Sequence, residues 1–459
     1  MSSADAPRQP VSAAPPLPEV PDRRPVGAPI PLLKPLPHHP SFPVVAYYHS
    51  GRLSQHLLWL ACGAGVVGLL AARALVALAP VVGVLAALAN PRLRAGLAAY
   101  GRNGAAGRAA ALLGFLLLSG LYTTELAGWR HELFRSLVWL GVPLAFAAAV
   151  PLSGGQRRAV GCLFVLGTAA VGLATLGRYG LDPGRAAAAI HLGQNVPPVT
   201  RVFHIPFGVM LALAAFWGVL LRRGTRGPWL RAGLLAAAGV AALALHVLAY
   251  RTGLLVFYAG LLALVGRLLA RGRWAPGLLL VLLLAAGPWA AYRALPTVRQ
   301  RVAGTVWDVQ QFTLGHDING YSLAQRLAAV ETARAIIGAH WLLGVGPADT
   351  HAAMMSQYAW KDFGLRPANR IDLHNQYLQA LLGGGVVGLG LLLAVLAWPF
   401  RWARTRRSPA TGVFLLAVAV AMLVDAVLDL QTGLNLFVFG YGFLVVAAEA
   451  RATNPPARP

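Results

Sequence analysis

Charge is what this 459-residue sequence has least of: 12% of its residues are Asp, Glu, Lys or Arg, about half of the roughly 25% a water-soluble chain carries. Acidic residues number 15 against 39 basic ones, and Lys34 and Lys361 are the only lysines, so nearly all the positive charge is guanidinium. That composition excludes an ordinary soluble globular domain. Cysteine is equally scarce. Cys62 and Cys162 both lie in apolar runs, which excludes a disulfide framework. A short charged n-region leading into an apolar segment and a small-residue cleavage site is also missing, so the first apolar run reads as a retained span rather than a signal peptide.

What is present is hydrophobic length. Apolar residues make up 57% of the chain and the mean hydropathy is +0.61. The apolar letters gather into runs of roughly 16 to 23 residues, and about 20 are needed to cross a bilayer as a helix. The expected fold is an all-α polytopic membrane protein of about twelve transmembrane helices with one large, partly helical loop on the outer side. The runs begin near Leu57, Ala74, Ala109, Ser136, Ala159, Val199, Ala232, Thr252, Ala275, Gln376, Thr411 and Gly433. Only Arg73 separates the first two, which could form one broken or re-entrant element.

The net charge of +24 points to no nucleic-acid partner, because the arginines sit in the gaps between runs. Alternate gaps are basic: Arg92 to Arg108, Arg157-Arg158, Arg222 to Arg231, Arg271 to Arg273, Arg401 to Arg407, then Arg451. By the positive-inside rule both termini are expected in the cytoplasm. The organisation that follows is a disordered Pro/Ala/Arg-rich cytoplasmic tail over residues 1–50, helices 1–9 over 51–291, a large outer loop over 292–373, helices 10–12 over 374–450 and a short cytoplasmic tail over 451–459. The other outer gaps are Glu125 to Arg135, Gly177 to Pro198 and the tight turn at Arg251.

The long loop is the one outer segment large enough to build structure. Ser322 to Gly338 has helical spacing, with Leu323, Ala324, Leu327, Val330 and Ile337 as its apolar stripe and Arg326 and Arg334 on the polar face. Three outer arginines are not asked for by topology. Arg251 lies between two apolar runs with no loop to solvate it, and a guanidinium costs about 2.5 to 3.5 kcal/mol at mid-bilayer, less near the edge. It either snorkels to headgroups or meets an anion. Arg326 is either a solvated face of the loop helix or a substrate contact, and Arg201, at the outer start of a span, is open in the same way. Arg293, Arg299 and Arg301 suit headgroup anchoring.

His374 stands where the long loop re-enters the membrane, followed by Asn375 and Tyr377. It is either a structural imidazole or a base for a sugar hydroxyl. Gly383, Gly384, Gly385 and Gly388 let a neighbour approach the backbone closely. Asp425 and Asp429 are i, i+4 neighbours whose burial calls for partners, one of the arginines among the options. No Asp-x-Asp lies in an outer loop, no His/Cys/Asp constellation has metal spacing, and Gly344-x-Gly346 lacks the remaining glycine and strand context of a dinucleotide fingerprint. No metal and no cofactor are expected, with fixed arginines serving in place of a divalent cation.

Together these residues resemble a family. His374-Asn375-x-Tyr377-Leu378 with Gly385-x-x-Gly388-Leu389 resembles the re-entry motif of the O-antigen ligase and polymerase superfamily of bacterial envelope enzymes. Arg326 followed by Leu343-Gly344-Val345-Gly346-Pro347, and Arg251-Thr252-Gly253-Leu254-Leu255, are similar to that family's outer-loop and interfacial-arginine elements. The likeness runs from about Val199 to Leu391 and is closest to O-antigen ligase. It implies a GT-C-like membrane glycosyltransferase in the inner membrane with a periplasmic active site. The implied reaction moves a glycan from undecaprenyl diphosphate to the lipid A core in lipopolysaccharide biosynthesis, metal-independent and inverting. The implied partners are that lipid-linked donor, the lipid A core acceptor and membrane lipids, with His374, Arg251 and Arg326 catalytic and Arg201, Asn375 and Tyr377 binding substrate. An O-antigen polymerase or protein glycan transferase is the nearest rival. A secondary transporter is a rival from another class, which internal repeats would favour and the single asymmetric outer loop opposes.

Overall fold

A computed structural model describes residues 43–182, 184, 196–402 and 406–453. The expectations for residues 1–42, for much of the gap from Gly177 to Pro198 and for the last residues of the C-terminal tail lie outside the described residues. Among the described residues every regular element is helical. Those from Val44 onward form one compact unit. The expected irregular tail to residue 50 is corrected at its end: Pro43–His49 is a helix, α1, with Pro43 at the first helical position, where its fixed φ is favourable.

All twelve apolar runs contain helix, but among the described residues eight helices are long and apolar enough to cross a membrane. These are α2 (Arg52–Ala71), α8 (Gly154–Leu181), α9 (His204–Arg222), α10 (Pro228–Val247), α11 (Arg251–Leu269), α12 (Trp274–Ala294), α16 (Gln376–Ala397) and a C-terminal helix. The last runs from α18 (Gln431–Tyr441) through a π-turn into α19 (Ala447–Thr453). The expectation of about twelve is corrected at particular places. α3 (Arg73–Leu88) is followed by a bend of 118° into α4 (Leu93–Arg102), and the pair counts as a ninth span only if taken together. The bend falls at Asn90-Pro91, where Asn90 Nδ2 donates to Ala148 O at 2.6 Å and proline cannot continue the helical ladder. α5 (Gly104–Ser119) and α17 (Pro409–Val424) have 16 residues each, about 24 Å against a hydrocarbon core of about 30 Å. The run near Ser136 divides into α6 (Leu126–Ser136) and the 11-residue α7 (Val138–Ala148).

Helix packing in a bilayer depends on close van der Waals fit rather than on water exclusion, and small residues set the approach. A Cβ on Gly253 of α11 would lie 2.5 Å from Gly208 O on α9, and one on Gly218 would lie 2.7 Å from Leu234 O on α10. Tyr250, Phe207, Phe414 and Phe437 fill the core between these contacts. α12 is the exception: Gly277 is its only buried residue, and its leucines face outward, as befits a helix against lipid.

The long connection begins at Leu295 and contains α13 (Pro296–Thr313), α14 (Ser322–Ala339) and α15 (Thr350–Trp360). It has its own core of Ile318, Ala324, Ala328, Ala333, Met354 and Tyr358. The expected stripe on α14 is corrected. The buried face is Ala324, Ala328, Ala329, Thr332, Ala333 and Ile336, while Val330 is exposed. Alanine lets α14 sit close to its neighbours, which turns the helix by part of a residue step from where the larger side chains would place it. Asp349 fastens this connection to the loop after α5, accepting from Thr123 Oγ1, Thr124 Oγ1, Thr124 N and Glu125 N at 2.6 to 3.1 Å. Burial works to raise its carboxyl, but those four bonds outweigh it and hold the group below the usual carboxylate range.

Two glycine motifs separated in sequence form a single device. Gly385, at φ 58°, breaks α16, and its backbone abuts Leu342-Leu343, so that a Cβ there would lie 2.2 Å from Leu342 C. Val345 N and Gly346 N donate to Leu382 O and Gly383 O at 3.0 Å, and Val386 N donates to Trp341 O at 2.9 Å. Carbonyls and amides released by the break in α16 are thus satisfied by a turn of the long connection, as an apolar environment requires. Gly344, at φ 70°, has no space for a side chain beside Gly383. The expected close approach is made by this turn at Gly383 and Gly385 and by Phe115 of α5 at Gly384.

Candidate functional site

The break in α16 fixes the short re-entry segment Asp372–Asn375 at its start. Asn375 Oδ1 accepts from Tyr377 N and Leu378 N at 3.0 Å, an N-cap, and its Nδ2 donates to Leu423 O at 2.8 Å. Tyr377 OH donates to Ala419 O at 2.9 Å. Both side chains therefore bind the start of α16 to the end of α17. Both were expected to bind substrate; in the structure each is engaged with backbone.

Between them these contacts hold His374 and the end of α17 together. His374 is half-buried, and its Nδ1 faces Asp372 O at 3.0 Å. A backbone carbonyl only accepts, so in that pairing Nδ1 carries the proton and Nε2 keeps its lone pair. Burial first, then the charge of Arg326, hold this imidazole below its ordinary value, with Asp425 and Asp372 working in the opposite direction. The ring is accordingly neutral at pH 7.

Arg326 reaches the same place from α14. Its guanidinium donates to Val424 O at 3.1 Å, it is half-buried, and its nearest charges are Asp425, attractive, and Arg251, repulsive. Burial is the largest influence on it and lowers its pKa, yet a guanidinium remains charged at neutral pH. Asp425 is buried at 4% exposure. Its Oδ1 accepts from Ala426 N at 2.9 Å, and its Oδ2 has no partner. Burial raises its carboxyl above the ordinary range while His374 and Arg326 pull it back. The sequence left open which partner this acid would take; among the described residues it forms no ion pair, and Arg326 and His374 act on it through space only.

Arg251 opens α11 and is placed by its neighbours. Tyr250, 1% exposed, donates its hydroxyl to Val196 O at 2.7 Å, Ala249 takes a left-handed φ of 51°, and Gly253 locks the first turn against α9. The guanidinium is exposed and is near Arg326 and Asp308. Asp308 was missed in the sequence. It is buried on α13 and accepts from Leu323 N at 2.8 Å, capping α14 from another helix. Its signal would have been an acid in a stretch otherwise rich in arginine and glutamine. Arg326 thus lies within electrostatic reach of Arg251 on one side and of His374 and Asp425 on the other. Arg201 is exposed in the turn before α9, again at positive φ, and among the described residues no side-chain contact ties it to the other site residues; the rings of Phe203, His204 and Tyr250 that follow it are spaced at 4.5 and 6.2 Å.

A second feature flanks His374. An open cavity of about 1300 Å³ is lined by Glu132, Arg135, Thr350, Asp372, Gln379 and Asp429, among others. Gln379 donates to Thr350 Oγ1 at 3.3 Å, while its Oε1 is buried without a partner. Enclosure pushes the Asp429 carboxyl up to about 6, against the pull of Arg135. Among the described residues no group of three His, Cys, Asp or Glu side chains is arranged to hold a metal ion.

A helical integral membrane protein with paired arginines, a neutral imidazole and a buried acid at one rim of its bundle is the class that fold and geometry define. Residues 211–393 match the family model described as O-antigen ligase. The matched stretch contains Arg251, Arg326, His374, Asn375 and Tyr377 and leaves out Arg201 and Asp425. It supports membership of the ligase and polymerase superfamily and a glycosyltransferase-like ligase activity. No curated protein matches the chain.

Proposed function

We propose that this protein transfers a glycan from undecaprenyl diphosphate to the lipid A core, at the periplasmic face of the inner membrane, by a metal-independent, inverting displacement. The observation that carries the reading is the grouping of a neutral His374 with Arg326 and Asp425, which act on it through space, and of Arg251 beside Arg326. Departure of a lipid diphosphate concentrates negative charge on its oxygens. Two guanidiniums fixed at that point hold the leaving group more tightly as the glycosidic bond lengthens. His374 Nε2 takes the proton from an acceptor hydroxyl, whose oxygen bonds to the anomeric carbon from the face opposite the departing diphosphate. The electron pair of the broken C–O bond leaves with the diphosphate. Asp425 stabilises the imidazolium that forms, its unpartnered oxygen being free to strengthen that contact.

The acceptor sugars fit the polar cavity beside Asp372 and Gln376, where carboxylates, amides and the unpartnered Gln379 oxygen match sugar hydroxyls. The single large connection between spans, late in the chain, favours transfer at one membrane face over alternating access. The test is transfer by the purified protein between a lipid-linked glycan and lipid A core, with and without EDTA. Product formed equally in both supports the reading. A strict divalent-cation requirement, or transfer only to a growing lipid-linked glycan, contradicts it.

A further inference from the structure

The strongest feature outside the site lies at the other end of α17. A cavity of about 1050 Å³ is lined by Phe164, Trp217, Phe414, Leu436, Phe439 and Phe443, with Arg157 and Arg223 as the only charged side chains on its wall. α17 runs from Pro409, on this cavity, to Val424 beside the His374 site. Its 16 residues place the two about 24 Å apart along the helix. Arg223 is exposed, so the cavity meets the surface there, whereas Arg157 is half-buried and its Nε has no hydrogen-bond partner. Among the described residues no acid on the wall balances either guanidinium.

We infer that this cavity is a binding site for an anionic phospholipid, whose acyl chain lies along the aromatic wall and whose phosphate sits between Arg157 and Arg223. Three independent observations converge on that ligand. The interior is wide and almost wholly apolar. Its rim carries two cations without a matching acid. One buried Nε–H points at no acceptor, a donor whose burial is costly unless a ligand oxygen reaches it. The cavity is built from α2, α8, α9, α17 and the C-terminal helix, so an occupant would brace the same α17 whose far end supports Arg326 through Val424 O. The lipid-linked donor is a poor candidate for the site, since its diphosphate would then lie on the opposite rim from Arg251 and Arg326.

The test is native mass spectrometry of the purified full chain, titrated with phosphatidylglycerol and with phosphatidylcholine of the same acyl chains, and a parallel arm with inorganic phosphate alone. Phosphatidylglycerol is expected to bind in preference to phosphatidylcholine, and the double variant Arg157→Gln/Arg223→Gln to lose roughly tenfold or more of that preference. Ala410→Phe, which fills the mouth at the start of α17, should weaken both lipids. Should the glutamine pair fail to fold, Arg157→Lys/Arg223→Lys decides, since it must keep the preference by charge alone. Equal binding of the two lipids, an unchanged preference in the glutamine pair, or protection by inorganic phosphate as strong as by phosphatidylglycerol would each overturn the inference.

Discussion

The two ends of α17 hold the same residue type in opposite surroundings. At its C-terminal end Arg251 and Arg326 share space with Asp308, Asp425 and a neutral imidazole. At its N-terminal end Arg157 and Arg223 face aromatic rings and no acid. A guanidinium's role is therefore set by what accompanies it. Acids and an imidazole make a rim able to stabilise developing charge and move a proton, whereas an apolar wall makes a rim that can only hold an anion in place.

That contrast can be broken by substitution. Arg251→Ala and Arg326→Ala should each lower kcat for glycan transfer about 10²–10³-fold, the usual loss when one fixed donor to developing charge is removed. Lysine at either position should restore only part of it, because it lacks the planar fork. Steady-state rates at saturating donor check both, and the glutamine pair at Arg157 and Arg223 should leave the rate within a few-fold. A comparable fall at both ends would erase the distinction.

Smaller effects sharpen the same picture. Gly344→Val or Gly385→Val forces a left-handed backbone on a β-branched residue and drives a side chain into a facing backbone. Each should destabilise the protein by about 1–3 kcal/mol or more, visible as a lower melting temperature together with lost transfer. The pH profile carries a sign. His374 is held below the ordinary imidazole range, so kcat/KM should stay level as pH falls through about 6.5 and decline only in more acid solution. Asp425→Asn removes a charge that favours imidazolium, moving that acid limb lower still, whereas residual activity in an Arg326 variant should show it displaced upward. Gln379→Leu is the mildest change. It should raise the KM for acceptor several-fold, about 1 kcal/mol, and leave the donor KM unchanged.

Much of the helical layout was legible because apolar runs and arginine punctuation are local signals, as at Arg157-Arg158 and Arg222 to Arg231. Arg251 and His374 stood out because each is a polar residue at the edge of an apolar run. The span count was less legible: α5, α7 and α17 are apolar enough but too short, and length is decided by where neighbouring helices let a turn form. The pairing of Leu342–Gly346 with the broken α16 was hidden, because a positive φ at Gly385 is fixed by a contact some forty residues away in sequence and not by its neighbours. Asp425 was visible as a buried acid, but choosing Arg326 among the available arginines needed α14 to be placed. An Asn before an apolar helix is an N-cap signal as well as a ligand signal, and the N-cap of Asn375 became visible only once α16 was placed.

The most direct test is the transfer rate of His374→Ala, with wild type, under identical donor and acceptor. Loss of about 10²–10⁴-fold is expected for a general base, with donor binding retained through Arg251 and Arg326. Transfer at the wild-type rate would contradict the account, since no imidazole would then be moving the acceptor proton.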